Sequence, residues 1–438
     1  MMRRLLSKAT CDTLAMIALA AQSKNTPVRI CADDMYLTQF SLTNFRNYTR
    51  LSIDMPRNTV VLQGRNAQGK TNFLEAVYYL AAARSPYTTS DVQLVNWLAE
   101  QDDLPHARVV AEWVRGDTLA KIEITLTKNG NGRGGYRKHI RINGVPKRAM
   151  DLLGQVNVVL FVPQDIALID GAPSGRRRYL DVTLCQIDPA YCRALAQYNR
   201  VLERRNALLR TLRERGGDQD QLDFWDEKLV RHGSTIMSRR QQAVVDLEAL
   251  SQPVHYGLSG GRERLRLRYL PSFDPRLQTQ GERQMSLGLN LLPAISLPQT
   301  SDQVGATFAR RLIAARREEI QRGVTTIGPH RDEFRFFDGQ IDLHTYGSRG
   351  QQRTAVLSLK LAEVALMAQS TGEQPILLLD DVLSELDVDR RRYLCRQLGQ
   401  VEQSVITTTD LSDLTPELLH SATVYAVSQG RLERQEAA

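Results

Sequence analysis

Long apolar runs are absent from this chain of 438 residues. No window reaches the eighteen or so apolar residues that a membrane-spanning helix needs, so no membrane partner is expected. Cysteine is scarce: five, at positions 11, 31, 185, 192 and 395, with no C-x-x-C spacing. That argues against a zinc framework and a disulfide scaffold and fits a reducing, cytoplasmic compartment. The seven histidines are scattered and suggest no metal cluster. Internal repeats and sustained heptads are missing as well, which argues against a long coiled-coil protein.

What is present is sorted by region. The formal charge is +8, and between Ser174 and Arg322 basic residues outnumber acidic ones by 25 to 17, so this segment holds the entire excess. Such asymmetry suggests a polyanionic partner; a solvated helical surface is the plainer alternative. Arginine outnumbers lysine, which suits forked contacts to phosphate. Residues 1–34 read differently from the rest. Basic residues and a short apolar patch weakly resemble a signal peptide, but Asp12 interrupts the patch. We read Met35 as the working start and residues 1–34 as a disordered or mis-assigned extension.

From Met35 the pattern becomes regular. YLTQFSLTNF, RLSIDM, RVVAEWV, AKIEITLTK and KHIRING alternate like strands, with the turn NGNGRGG among them. Together with TVVLQ they suggest a mixed sheet wrapped on one helix. From about Ala172 the apolar period becomes helical, through a run ending near residue 214 and a second helix from Asp223 to about Ser251. These two suggest a hairpin arm. Residues 252–300 are broken by proline and glycine, with RERLRLRYL a strand, and ATFARRLIAARREEIQRG is again helical.

Gly64-Arg65-Asn66-Ala67-Gln68-Gly69-Lys70-Thr71 fits the phosphate loop G-x-x-x-x-G-K-[ST]. TVVLQ before it reads as a buried strand and NFLEAVYYLAA after it as a helix, which is the context the motif requires. Glycines let backbone N–H groups converge on a phosphate, and the helix start adds positive charge. Lys70 would reach the β- and γ-phosphates of ATP, and the Thr71 hydroxyl would bind Mg²⁺.

PILLLDDVLSELD, Pro375 to Asp387, is an apolar strand ending in two carboxylates. Ligands gather at the carboxyl ends of such strands. Asp380 would hold Mg²⁺ and Asp381 would orient or deprotonate the attacking water. Upstream, Ser348 and Gly350 open a long amphipathic helix. Its start could bind a phosphate in trans, across a subunit boundary, or Ser348 could simply cap the helix.

Taken together these stretches resemble the ABC-type ATPase heads of the SMC/RecF group. The resemblance runs from Tyr36 to about Asp410, through YLTQFSLTNFRNY, GRNAQGKTNFLEAVYYLA, FVPQDIALIDGAPSGRRRYLD, LAQYNRVLERRNALL, GPHRDEF, YGSRGQQRTAVLSLKLAE and LLLDDVLSELD. It implies an α/β fold: an ABC-type P-loop ATPase head, a mixed sheet plus helices, with an inserted helical arm. The implied division is an extension at 1–34, head segments at 35–173 and 323–438, and the arm at 174–322. Gln164 then looks like a residue sensing Mg²⁺ and the γ-phosphate. Ser348, Gly350 and Gln351 look like the signature motif that contacts a partner subunit's nucleotide. Asp380 and Asp381 look like the metal and catalytic carboxylates, Ser384 to Asp387 like a loop crossing the dimer interface, and Arg46 like a nucleotide contact.

The resemblance also implies a role in recombinational repair and replication-fork maintenance. It implies an ATP-induced head-to-tail homodimer and binding to single-stranded, gapped or junction DNA. Recombinase loading would involve mediators of the RecR/RecO type, and the location would be cytoplasmic, with the nucleoid. A weak, DNA-stimulated ATPase would reset the switch. Transporter-type ATPases carry Glu where Asp381 stands and a switch histidine where this chain reads VITTTDL; the shorter carboxylate and missing histidine suggest slow hydrolysis. RSPYTTSD lacks the basic residue expected after RS. A transporter ATPase is disfavoured by the 278 positions between Lys70 and Ser348. A chromosome-organising protein would need longer arms, and a fused nuclease would need a further carboxylate cluster. Arg176, Arg177 and Arg178 at the arm's entry, with Arg204, Arg205, Arg310, Arg311, Arg316 and Arg317 on its helices, are the candidate DNA contacts.

Overall fold

Strand β1, Met35–Phe45, buries alternate residues, as one face of a sheet requires. A register shift between Leu37 and Gln39 moves the buried set from Met35 and Leu37 to Phe40 and Leu42. β1 pairs antiparallel with β2, Tyr48–Asp54. The next strand, β3, Thr59–Gln63, is buried over its first four residues and leaves this sheet. The phosphate loop and helix α1, Lys70–Ala82, follow. Strands β4, His106–Arg115, β5, Thr118–Lys128, β6, Tyr136–Ile142, and β7, Val145–Lys147, complete an antiparallel sheet of order β2-β1-β4-β5-β6-β7. The computed structural model describes residues 35–101, 105–129, 135–273 and 299–435. The N-terminal extension, five residues of the NGNGRGG turn and residues 274–298 of the proline- and glycine-broken stretch lie outside them.

The second six-stranded sheet draws on distant parts of the chain. It contains β3, β8 at Val158–Phe161, β12 at Ile376–Asp380, β13 at Ser404–Thr408, β14 at Thr423–Ser428 and β15 at Arg431–Arg434. The order is β15-β14-β3-β13-β12-β8, parallel except for the β15 edge. β12 is buried throughout because both faces are covered. Ile376 and Leu378 join the core around α1, while Leu377 and Leu379 face the other way. Helix α1 fills the space between the two large sheets, where Phe73 meets Phe40 edge-on, with ring centroids 4.9 Å apart. The first third is therefore not one mixed sheet. β3 is apolar on both faces and belongs with the parallel strands, while its alternating neighbours form the antiparallel sheet.

The helical middle begins with α2, Pro173–Ile187, and α3, Pro189–Arg215. The continuous helical run expected here is divided at Asp188, whose side chain caps Ala190 and Tyr191 ahead of Pro189. Helix α4, Gln221–Leu258, packs back on α3 and runs past the expected break, with Pro253 inside it. Proline removes one hydrogen bond, but Ser251 and His255 on either side are fully buried, and His255 meets Ser358 of the helix at Arg349–Thr371. Tertiary burial outweighs the local penalty. Strand β9, Leu265–Leu270, helix α5, Ser301–Arg322, and strands β10, Glu333–Asp338, and β11, Ile341–Asp342, follow. β9 pairs with β10, tying the middle segment to the last third. Helices α6, Arg349–Thr371, and α7, Val388–Leu398, then cover the outer face of the parallel sheet. No described helix is long and apolar enough to cross a membrane.

Several arginines proposed as DNA contacts instead hold the fold together. Arg205 is fully buried and bonds Asp226 at 2.6 Å, Glu319 at 2.7 Å and Thr325 at 2.7 Å. Arg316 shares Asp226 at 2.7 Å. Arg176 is buried against the carbonyls of Leu168, Ile169 and Gly171 and pairs with Glu333. Helical position alone could not separate these from exposed neighbours such as Arg204, Arg310 and Arg317. Arg205→Ala leaves Asp226 and Glu319 without their shared cation, and should cost about 3–5 kcal/mol, read as a large drop in the urea midpoint. Arg204→Ala should leave that midpoint almost unchanged.

Candidate functional site

The phosphate loop joins the carboxyl end of β3 to α1, and backbone geometry explains its glycines. Gly69 sits at φ +117, and a Cβ there would lie 2.6 Å from Asn47 Nδ2. A Cβ on Gly64 would lie 2.5 Å from the Val427 carbonyl oxygen on β14. The loop is braced from outside. Asn47 Nδ2 donates to the Gln68 carbonyl at 2.9 Å and Tyr48 Oη to the Gly69 carbonyl at 3.0 Å. Asn72 Nδ2 donates to Asn47 Oδ1 at 2.8 Å, and Gly430 N to the Gln68 carbonyl at 3.0 Å. The loop, Asp380, Asp381 and Thr407 line a cavity of about 140 Å³. That suits phosphate groups more than a whole drug-sized ligand, which takes roughly 300–1,000 Å³.

Lys70 is almost wholly buried, and its Nζ donates to the carbonyls of Gly64 and Arg65 within its own loop. Burial pulls this ammonium below the ordinary lysine value, while Asp381 and Asp380 pull it back up. Asp380 closes β12, and Thr407 sits on β13 between β12 and β3. Asp380 Oδ1 accepts from Thr71 Oγ1 and from Thr407 Oγ1, each at 2.9 Å, and Oδ2 accepts from Tyr87 Oη at 2.9 Å.

Asp381 lies at φ 53, a left-handed conformation rare outside glycine and Asn/Asp. Its backbone N–H donates to Thr407 Oγ1 at 2.9 Å, while its Oδ1 is buried without a hydrogen-bond partner. Burial pushes this carboxyl above the usual range; Lys70 opposes the shift and Asp380 adds to it. A buried acceptor without a donor is costly. The donor set fits Mg²⁺. A hydroxyl and a carboxylate supply hard oxygens, and this ion takes one or two protein ligands plus substrate phosphates. No cluster of three or more His, Cys, Asp or Glu that could hold a metal occurs among the described residues.

Other expected site residues lie apart. Gln164, in the turn Pro163–Ile166 after β8, is exposed and lines a separate cleft of about 420 Å³ with Pro86, Tyr87 and Arg178. Arg46 grips Glu75 with hydrogen bonds of 2.7 and 2.8 Å and also donates to the Gln93 carbonyl. Its neighbours Asn47 and Tyr48 are the ones that touch the loop. Ser348 caps α6 in a reciprocal box with Gln351, at 3.2 and 2.9 Å. Ser348, Gly350 and the helix start are exposed, outside the 140 Å³ cavity. Arg353 on the same helix pairs with Glu385 of the SELD turn. Thr407 and Tyr87 were not anticipated. The TTT of VITTTDL, at a strand end beside the double aspartate, was the available signal for Thr407.

Lys70→Ala should abolish ATP binding in calorimetry and leave the melting temperature within a few degrees of the parent, since the hydrogen bonds lost are those to the Gly64 and Arg65 carbonyls. A second expectation concerns Asp165. Burial raises its carboxyl to about 6, opposed by Lys360 and the Val162 N–H and reinforced by Glu363. The folded value exceeds the ordinary 3.8, so the associated stability is full below that value and is lost as pH rises through about 6. Asp165→Asn should therefore lose less melting temperature than the parent between about pH 5 and pH 7.

Known proteins resemble this chain over most of its length. Residues 36–431 match the family described as RecF/RecN/SMC N terminal domain. The DNA replication and repair protein RecF of Chloroflexus aurantiacus is 40% identical over 412 residues, covering 91% of this chain and 99% of that protein. Its counterpart from Roseiflexus castenholzii is 42% identical over 412 residues, with the same coverage. A solved structure of the recombination mediator protein RecF with ATP, from the RecFOR pathway, superposes with a TM-score of 0.78 at 30% identity, over 93% of this chain and 99% of that one. The chain belongs to the RecF/RecN/SMC family and stands among its RecF members.

Proposed function

We propose that this chain is an ATP-switched DNA-binding protein of recombinational repair, with a head of residues 35–173 and 323–438 carrying an arm of residues 174–322. The observation that carries the reading is the convergence of Lys70, Thr71, Asp380 and Asp381 on one small cavity at the carboxyl ends of β3 and β12. The names of the relatives add DNA replication and repair, and the ATP-bound RecF structure adds the nucleotide and the mediator role.

In this reading the phosphates of ATP take the place of the Gly64 and Arg65 carbonyls on Lys70 Nζ. Thr71 Oγ1 and Asp380 hold Mg²⁺, which neutralises phosphate charge when bound. Thr407 keeps both aspartates aligned through its single hydroxyl. The Asp381 carboxylate accepts a proton from the attacking water as the water oxygen bonds to the γ-phosphorus and the bond to ADP breaks. Ser348, Gly350 and Gln351 lie on the surface, where a second copy's nucleotide can reach the start of α6. A head-to-tail homodimer then forms only when ATP is bound, and slow hydrolysis releases it. DNA contacts fall to exposed arginines such as Arg178, Arg204, Arg310 and Arg317. They contact phosphate and confer little sequence preference. Mediators of the RecR/RecO type complete the loading of recombinase.

Asp381→Asn tests the switch. The variant should bind ATP as the parent does, lose about a hundredfold or more in hydrolysis, and accumulate as a dimer during size-exclusion chromatography in ATP. Parental hydrolysis in the variant would remove Asp381 from the chemistry, and a monomer in saturating ATP would remove the dimer switch.

A further inference from the structure

The turn after α1 carries a contact that its sequence does not announce. Ser85 is buried, and its Oγ accepts the backbone N–H groups of Tyr87 and Thr88, each at 3.0 Å. The same hydroxyl donates to Glu75 Oε1 on α1. Glu75 is itself buried and is gripped by Arg46. This chain of bonds pins the turn and with it the backbone of Tyr87. The tyrosine leaves 40% of its surface exposed, yet its hydroxyl turns inward onto Asp380 Oδ2.

The two oxygens of Asp380 are thus served from different places. Oδ1 takes the hydroxyls of Thr71 and Thr407. Oδ2 takes a phenol from a segment outside both the phosphate loop and the parallel sheet. A carboxylate held through one oxygen can swing about its Cβ–Cγ bond. A second bond to the other oxygen, from a ring fixed at its backbone, removes that freedom. The basic residue expected after the RS of RSPYTTSD is absent, and a tyrosine that reaches the metal-side carboxylate stands in the turn.

We propose that Tyr87 is a positioning residue for Asp380: its hydroxyl holds the carboxylate with Oδ1 towards Thr71 and thereby sets how much Mg²⁺ strengthens ATP binding. Arg46 acts in the same device at one remove, through Glu75 and Ser85. The inference rests on the magnesium–ATP reading above. Groups that orient a metal ligand without touching the metal commonly change metal affinity by roughly 10–100-fold.

The test is ATP affinity by calorimetry, in chelator and in excess Mg²⁺, for the parent and for Tyr87→Phe. Phenylalanine keeps the ring and removes only the hydroxyl, so folding is preserved, and the melting temperature checks this. In the parent, Mg²⁺ tightens ATP binding. In Tyr87→Phe that gain should shrink about tenfold, while metal-free affinity stays at the parental value. Ser85→Ala, which frees the turn but leaves the phenol, should lose part of the same gain. An undiminished gain in Tyr87→Phe overturns the inference while leaving the magnesium–ATP reading intact. An equal loss with and without Mg²⁺ also overturns it, because Tyr87 would then act on the pocket as a whole. A parent that gains nothing from Mg²⁺ overturns the metal reading and this inference with it.

Discussion

Three hydroxyl groups converge on one carboxylate, and the rest of the site is arranged around that convergence. Asp380 ends a strand with no exposed residue, so its charge sits where water is scarce and must be satisfied by fixed donors. Thr71, Thr407 and Tyr87 supply them from the phosphate loop, the neighbouring strand and a distant turn. Thr71 and Asp380 thus meet across β13, the strand that lies between β3 and β12. The need for fixed donors also explains a polar residue at the buried end of β13, where the sheet would otherwise favour an apolar one.

The same cavity holds two groups whose needs are not met alike. Lys70 is satisfied by its own loop's carbonyls, so a nucleotide must offer more than two neutral acceptors, which charged phosphates do. Asp381 keeps a buried oxygen without a donor, held there by an unusual backbone conformation at φ 53. Strain and an orphaned acceptor are costs that functional sites commonly carry. The surface start of α6 lies outside this cavity.

Much of this was legible in the sequence, and the failures have physical causes. The phosphate loop and the double aspartate were readable because each is a short motif attached to an apolar strand. The strands of the antiparallel sheet were readable from period-two alternation. The assignment of β3 to the parallel sheet was not, since its partners β13 and β14 lie more than 340 residues away. Pro253 suggested a helix end because local propensity cannot weigh the burial of Ser251 and His255. Arg205 and Arg204 are adjacent and chemically identical, and only packing separates the fully buried one from its exposed neighbour. The roles of Asn47, Thr407 and Tyr87 depend on approaches between distant segments, which no local pattern encodes.

The most direct test of the ATP switch is sedimentation velocity of the unmodified chain with a gapped DNA duplex, with and without Mg-ATP, at low and moderate salt. The switch predicts a monomer without nucleotide, a dimer with Mg-ATP, and DNA co-sedimentation that strengthens with ATP and weakens steeply as salt rises. If ATP binds and yet neither the oligomeric state nor DNA co-sedimentation responds, the site is a nucleotide pocket without a clamp. The positive charge of the middle segment would then be a solvated surface.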